Sequence, residues 1–307
     1  MTEQSNYNVE QLTHVIRSRG QILDVVAQRL RTPEIQATFN KWDHNSWCLG
    51  VAGDSLVRIR LLTEQSFNFV ETMGVIAVAR YIFELSVWLY LFRRDPRYGL
   101  VYFDQLIDTQ QRYYQDVKTQ LIREVALLKL LGEREQESQQ KAIENMMGLP
   151  PDDVRQQLLL TTLKDISEAI DAEASRRFSI YAKDAQTNGY EFQAHLIETE
   201  SLPQVEQALA NISSERHEFN TTVSQDIKDL IPPRWQWRQI AKKVDLTDEY
   251  DYIYTFASKL LHATPASITT NHKNLEIAEM EVFLKYIDIK IADVVVLAKE
   301  YCKDRII

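Results

Sequence analysis

Apolar residues return at steps of three, four and seven along most of the chain, the spacing of helices that bury one face. Between residues 8 and 40 these positions are Val9, Leu12, Val15 and Ile16, then Ile22, Val25, Val26 and Leu30, with a break expected near Pro33. Asp54 and Ser55 are candidate caps for a helical stretch that continues through GVIAVARYIFELSVWLYLF to Phe92. RRDPRYG, residues 93–99, reads as a turn, because Pro96 and Gly99 both disfavour helix continuation. A long amphipathic helix follows over 100–131, marked by Tyr102, Leu106, Tyr113, Val117, Leu121 and Val125.

The polar segment 132–153 contains Pro150 and Pro151 and is the expected boundary between two helical layers. Residues 152–183 and 203–230 each read as long helix, separated by a turn at 187–193. IPPRWQW, residues 231–237, is a second boundary, followed by helices ending near Val244, Ala263 and Lys303. No period-two pattern persists and no internal repeat is visible, so the expected fold is all-α, a multi-helix bundle without a sheet. The expected organisation is an N-terminal helical segment (1–53), a core from 54–131 and 231–307, and a middle layer (132–230).

Composition sharpens this picture. The chain of 307 residues carries 8 Gly and 8 Pro, against roughly 21 and 15 at average usage, so turns are few and helices long. A net charge of −9 argues against a generally basic, nucleic-acid-coating surface but leaves room for a local basic groove. Cys48 and Cys302 have no ligand spacing, and no basic leader precedes an apolar core, so a cytoplasmic home is expected. The run 74–92 has the length of a membrane span, but Arg80 and Glu84 interrupt it near its middle; a buried helix is the expectation, and no membrane partner.

Candidate chemistry is confined to polar positions on apolar helices. Glycine-rich phosphate loops, zinc-helix motifs, cysteine pairs and nucleophile elbows are missing from the sequence, so no metal and no cofactor is expected. Arg80 and Glu84, four residues apart, share a helix face and can pair with each other or with a facing helix. In EYDYIYTFASKLLHATPAS, residues 249–267, Asp251, Tyr254, Ser258 and His262 fall on one stripe with Lys259 beside it. His262 can exchange a proton near neutral pH, and Lys259 suits an anion. The same residues also fit a plainer reading, with His262 at a helix end and Ser258 bonding a backbone carbonyl. PRWQWRQIAKK gathers Arg234, Trp235, Trp237, Arg238, Lys242 and Lys243, a mixture suited to single-stranded nucleic acid, or equally to tryptophan anchors with a solvated rim.

The segment PRWQWRQIAKKVDLTDEYDYIYTFASKLLHATPAS resembles a bacterial family of uncharacterised helical proteins related to HEPN (higher eukaryotes and prokaryotes nucleotide-binding) domains. That family shows a Trp, a short basic helix containing Ala, then Tyr-x3-Tyr-x3-Ser-x3-His, here Trp237, Ala241, Tyr250, Tyr254, Ser258 and His262. ARYIFELSVWLYL, with Arg80 and Glu84, is similar to the family's upstream helix, and the matched segments cover about a quarter of the chain. Many HEPN proteins are ribonucleases in which an Arg precedes the His by a few residues; here Thr255, Phe256 and Ala257 occupy those places. The resemblance implies an RNA-directed effector of toxin or defence type. His262 would be its general acid or base, and Arg80 and Lys259 its phosphate contacts. Glu84, Tyr254 and Ser258 would orient them, and Arg234, Trp237 and Arg238 would lie along the RNA. It also implies a homodimer and an antidote or sensor protein as partner. The alternative reading is a non-catalytic helical module that binds a nucleotide, RNA or a partner protein.

Overall fold

A computed structural model describes residues 3–66, 72–148, 150, 152–261 and 277–303. Every regular element among them is helical, so the all-α expectation holds. The chain forms two compact units, one from residues 1–105 and 222–307, the other from 106–221. The division falls inside one continuous helix, Tyr98–Met146, and not at the polar segment 132–153. GEREQESQQKAIENM lacks a strong apolar stripe, but its Glu, Gln, Lys and Ala are good helix formers, so the helix runs on past 131.

In the first unit, α1 (Glu3–Ser18), α2 (Gly20–Leu30), α4 (His44–Ser66), α5 (Thr72–Arg94) and the last long helix, Ile277–Lys303, bury one apolar core. The short α3 (Pro33–Ala37) starts at Thr32, whose hydroxyl accepts from Ile35 N at 3.3 Å, with Pro33 at the first helical position. The cap of α4 is Asp43, which accepts from the backbone of Asn45 and Ser46, both at 3.1 Å. Asp54 and Ser55, expected as caps, lie inside that helix. Asp43 captures the free N–H groups because only residues before the first turn can reach them.

α5 is the core's central rod. Val75, Ile76, Val78, Ala79, Ile82, Phe83, Val87, Leu89, Leu91 and Phe92 are all buried, which leaves a narrow wetter stripe holding Arg80 and Glu84. It is the described helix long and apolar enough to cross a membrane, and 67% of that apolar window is buried inside the structure. Asp95 ends it by accepting from Arg97 N at 3.0 Å, and Pro96 prevents continuation.

The second unit packs Leu121, Val125, Leu128 and Leu131 of the long helix against Ile170 and Ala174 of Asp153–Ala174, and against Tyr190, Ala194, Ile197 and Val205. Gly189, at φ 91°, makes the turn between Ala182–Asn188 and Tyr190–Leu196, a backbone conformation that favours glycine. Buried Glu124 accepts from Ile180 N at 2.9 Å and from the Ser179 hydroxyl, which pins that unit's irregular stretch.

Candidate functional site

The polar positions on α5 meet the opening stretch of the C-terminal region. Trp237–Lys243 is a short helix, and Asp245, at φ 60°, turns the chain into Thr247–Glu249. Residues Tyr250–Tyr254 then form a π-helical turn before Thr255–Leu261. The Thr255 hydroxyl donates to Tyr250 O at 3.1 Å across this turn. The wider turn changes the simple stripe expected from α-helical spacing, and such turns recur where side chains are re-aimed at functional sites.

Arg80 is the hub. Its Nε donates to Glu84 Oε1 at 3.2 Å, and its Nη2 to the Tyr254 hydroxyl, also at 3.2 Å. The guanidinium carbon lies 4.8 Å from the centre of the Tyr254 ring. Tyr254 stacks on Tyr250 with centroids 4.8 Å apart and is backed by Phe83 at 5.5 Å and Trp237 at 6.3 Å. Arg80 and Glu84 are 28% and 27% exposed, so the pair is part-buried rather than the fully buried pair a central apolar helix could hold. Burial pushes the Glu84 carboxyl above its usual range, and the hydrogen bond and charge of Arg80 offset only part of that. Burial likewise raises the Tyr254 hydroxyl, with Arg80 acting in the opposite direction. The Ser258 hydroxyl is buried and has no hydrogen-bond partner among the described residues.

The other predicted residues divide. Asp251 leaves the row and forms a two-pronged pair with Arg238, Nε to Oδ1 and Nη2 to Oδ2 both at 3.1 Å. Trp237 and Trp235 pack against the core, and Trp235 stacks on Trp88 at 4.4 Å, so these rings are anchors. Arg234 and Lys259 are exposed, Arg234 before the short helix and Lys259 near the end of the last described turn. Arg93, Arg94 and Arg97 are engaged by Glu300, Asp245 and the pair Asp95 and Asp226 respectively. His262 lies outside the described residues. No grouping of three or more His, Cys, Asp or Glu able to hold a metal occurs among the described residues. Burial pushes the Cys48 thiol up to about 12, which leaves it a packing residue.

A second polar centre was not predicted. Lys290, on the last long helix and 4% exposed, sits 2.9 Å from Glu249 Oε1 and 3.2 Å from Asp293 Oδ2. The Tyr286 hydroxyl donates to Glu249 Oε2 at 3.1 Å, and the Tyr90 hydroxyl to Asp293 Oδ2 at 3.5 Å. Burial works against the Lys290 charge, yet the hydrogen bond and charge of Glu249, with Tyr90 and Asp293, hold its pKa above the usual lysine value. Burial and the neighbouring Glu249 raise the Tyr286 hydroxyl strongly. Glu249 immediately precedes Tyr250, so this centre ties down the start of the turn that carries Tyr254. One signal was available in the sequence: a lysine inside the apolar run IDIKIADVVV.

Fold and site together define an all-helical protein whose central apolar helix presents an arginine–glutamate pair to a tyrosine–serine row. Residues 46–279 match the model of a family of unknown function, DUF5677, and the chain belongs to that family. No curated protein and no solved structure matches it.

Proposed function

We propose that this protein is an RNA-directed effector that cleaves a phosphodiester without a metal ion, in the manner of HEPN-like ribonucleases of toxin or defence type. The observation that carries the reading is the position of Arg80, whose guanidinium is held 3.2 Å from both Glu84 and the Tyr254 hydroxyl. It supplies a cation from α5 to a row whose own helix has Thr255 where an arginine would stand. In the reaction the ribose 2′-oxygen attacks phosphorus and the 5′-oxygen leaves. His262 takes the 2′ proton and a proton is returned to the departing oxygen. Arg80, with Lys259, stabilises the charge that develops on the phosphorane. Glu84, with its raised pKa, is a second group suited to moving a proton. Tyr254 and Ser258 orient these groups, and the exposed Arg234 and Arg238 guide the strand, with Trp237 as the core anchor between them. The functional unit is a homodimer in the cytoplasm, kept in check by an antidote or sensor protein.

A different observation favours a second reading, a non-catalytic module that binds a nucleotide, RNA or a partner protein. Arg80 is committed to Glu84, and Arg238 to Asp251, so two of the cations are already neutralised by carboxylates. Purified wild type, His262→Ala and Arg80→Gln should be compared on a labelled single-stranded RNA in the presence of a chelator. Cleavage by wild type, lost in both variants while their melting temperatures stay near wild type, supports the nuclease. An intact wild type that cleaves neither single-stranded nor structured RNA overturns it in favour of the binding module. Light scattering at micromolar concentration tests the dimer, and a monomeric mass across that range removes it.

A further inference from the structure

A pocket of ≈ 400 Å³ opens between α2, α3 and the first half of α4, within the size range of small-molecule sites. It shares no lining residue with the Arg80 cluster, so nothing argued for it depends on the nuclease reading. Leu30, Ile35, Phe39, Leu49 and Val51 supply apolar walls, with Trp47 beside them. Its far wall is held rigid. The Trp47 indole N–H donates to Lys41 O at 2.8 Å, its ring stacks on Phe103 at 4.6 Å, and Phe39 meets it edge-on at 5.2 Å. The Ser46 hydroxyl, also in the lining, accepts from Asn40 N at 3.2 Å and donates to Asp43 at 3.0 Å, fixing the loop before α4.

Two glycines of α4 face this region for different reasons. A Cβ on Gly53 would lie 2.8 Å from Arg31 Cγ, so Gly53 leaves room for the Arg31 stem to lie along the helix. That stem delivers the guanidinium to the mouth, where Nε lies 3.2 Å from Asp54 Oδ1. Gly50 has no such reason: among the described residues, a Cβ there would meet only Phe39 Cε2, at an ordinary 3.9 Å. A mid-helix glycine is destabilising relative to alanine. The cost at Gly50 leaves open the space beside Phe39, where a ligand ring fits.

We infer that this pocket binds a neutral, planar aromatic small molecule whose edge carries both a hydrogen-bond donor and an acceptor. The apolar walls, with the Phe39 and Trp47 rings among them, select the ring. The mouth pairs one positive with one negative group, so a charged ligand gains little net attraction there. Guanidinium and carboxylate side by side instead match an edge such as a carboxamide, with its C=O toward Arg31 and its N–H toward Asp54.

The test uses naphthamide as probe, against naphthoate (same ring, anionic, no donor) and decalin carboxamide (same edge, no planar ring), by calorimetric titration of the full chain. Naphthamide should bind one-to-one and more tightly than either control. Gly50→Leu fills the pocket and should weaken naphthamide at least about tenfold, with the melting temperature held or raised because a mid-helix glycine is removed. Asp54→Asn leaves Arg31 uncompensated and should reverse the preference, so that naphthoate binds more tightly than naphthamide. The inference is overturned by any of three results: no saturable naphthamide binding, equal binding to Gly50→Leu, or no change of preference in Asp54→Asn.

Discussion

Two polar centres belong to the same bundle, one holding Glu249 just before the Tyr250–Tyr254 turn and the other holding Tyr254 at its end, and they are built in opposite ways. Around Lys290 a single buried cation has two carboxylates, and two tyrosine hydroxyls donate to those carboxylates. Around Arg80 the cation has one carboxylate and one tyrosine, about a quarter of the pair is exposed, and a buried serine hydroxyl lacks a partner among the described residues. A closed, satisfied network holds elements together. An open one, with a carboxyl displaced upward and a hydroxyl left over, is where chemistry or binding is expected. The comparison assigns Lys290 to architecture and Arg80 to function.

The largest effect that could break this division is on stability. Lys290→Met would take a buried cation away from two part-buried carboxylates, Glu249 at 29% and Asp293 at 37% exposed, and should cost about 2–3 kcal/mol in a denaturant melt. A midpoint close to wild type would mean that water reaches this centre and that it is not the closed one. Glu84→Ala should cost less, about 1–2 kcal/mol, because the Arg80 pair lies between the surface and buried cases.

The pH dependence should separate the two centres further. The Glu84 carboxyl sits above its usual 4.5 in the folded state. Its contribution to stability is therefore full below that value and is lost as pH rises through the folded one. Lys290 is raised above 10.5, so its contribution is present below 10.5 and lost only as pH rises beyond it. Melts across roughly pH 4 to 7 should show wild type losing ground to Glu84→Gln, while the deficit of Lys290→Met stays flat. A flat Glu84→Gln difference would show that the carboxyl is as solvated as an ordinary surface glutamate.

The smallest effect is the most telling. Ser258→Ala removes a buried hydroxyl without a described partner, so stability should hold or rise by up to about 1 kcal/mol. If the same variant loses RNA cleavage or RNA binding, the hydroxyl is kept for function at the expense of stability. A clear destabilisation would show that Ser258 has a structural partner after all.

How much of this could be read in the sequence depends on distance along the chain. α5 was legible because charge enters its apolar run only at Arg80 and Glu84, and the same interruption exposed half of the candidate site. Tyr254 and Ser258 were legible by their spacing, which puts them on one helix stripe with Asp251 and His262. The π-helical turn at 250–254 was not, because no residue type announces it, and it is what takes Asp251 out of the row toward Arg238. Of the Lys290 centre only the lysine inside an apolar run was legible, because its partners Tyr90 and Glu249 come from two other elements and nothing along the chain links them. Asp43 did not stand out as a cap because two residues of equally good capping type, Asp54 and Ser55, stand eleven and twelve residues on, inside the same helix.

The position of the last long helix also bears on how the molecule comes to exist in a cell. Ile277–Lys303 packs against α1, α2, α4 and α5, and so completes a core whose other members are made first. During synthesis the stickiest segment of the chain, α5, emerges some two hundred residues before the helix that covers it. At ordinary translation speeds of about 5–20 residues per second, that wait lasts on the order of ten seconds or more. The intervening unit, 106–221, has its own small core and is able to form meanwhile, whereas the first unit stays incomplete until its C-terminal part leaves the ribosome. Truncations within the last helix should therefore aggregate rather than yield a smaller folded protein.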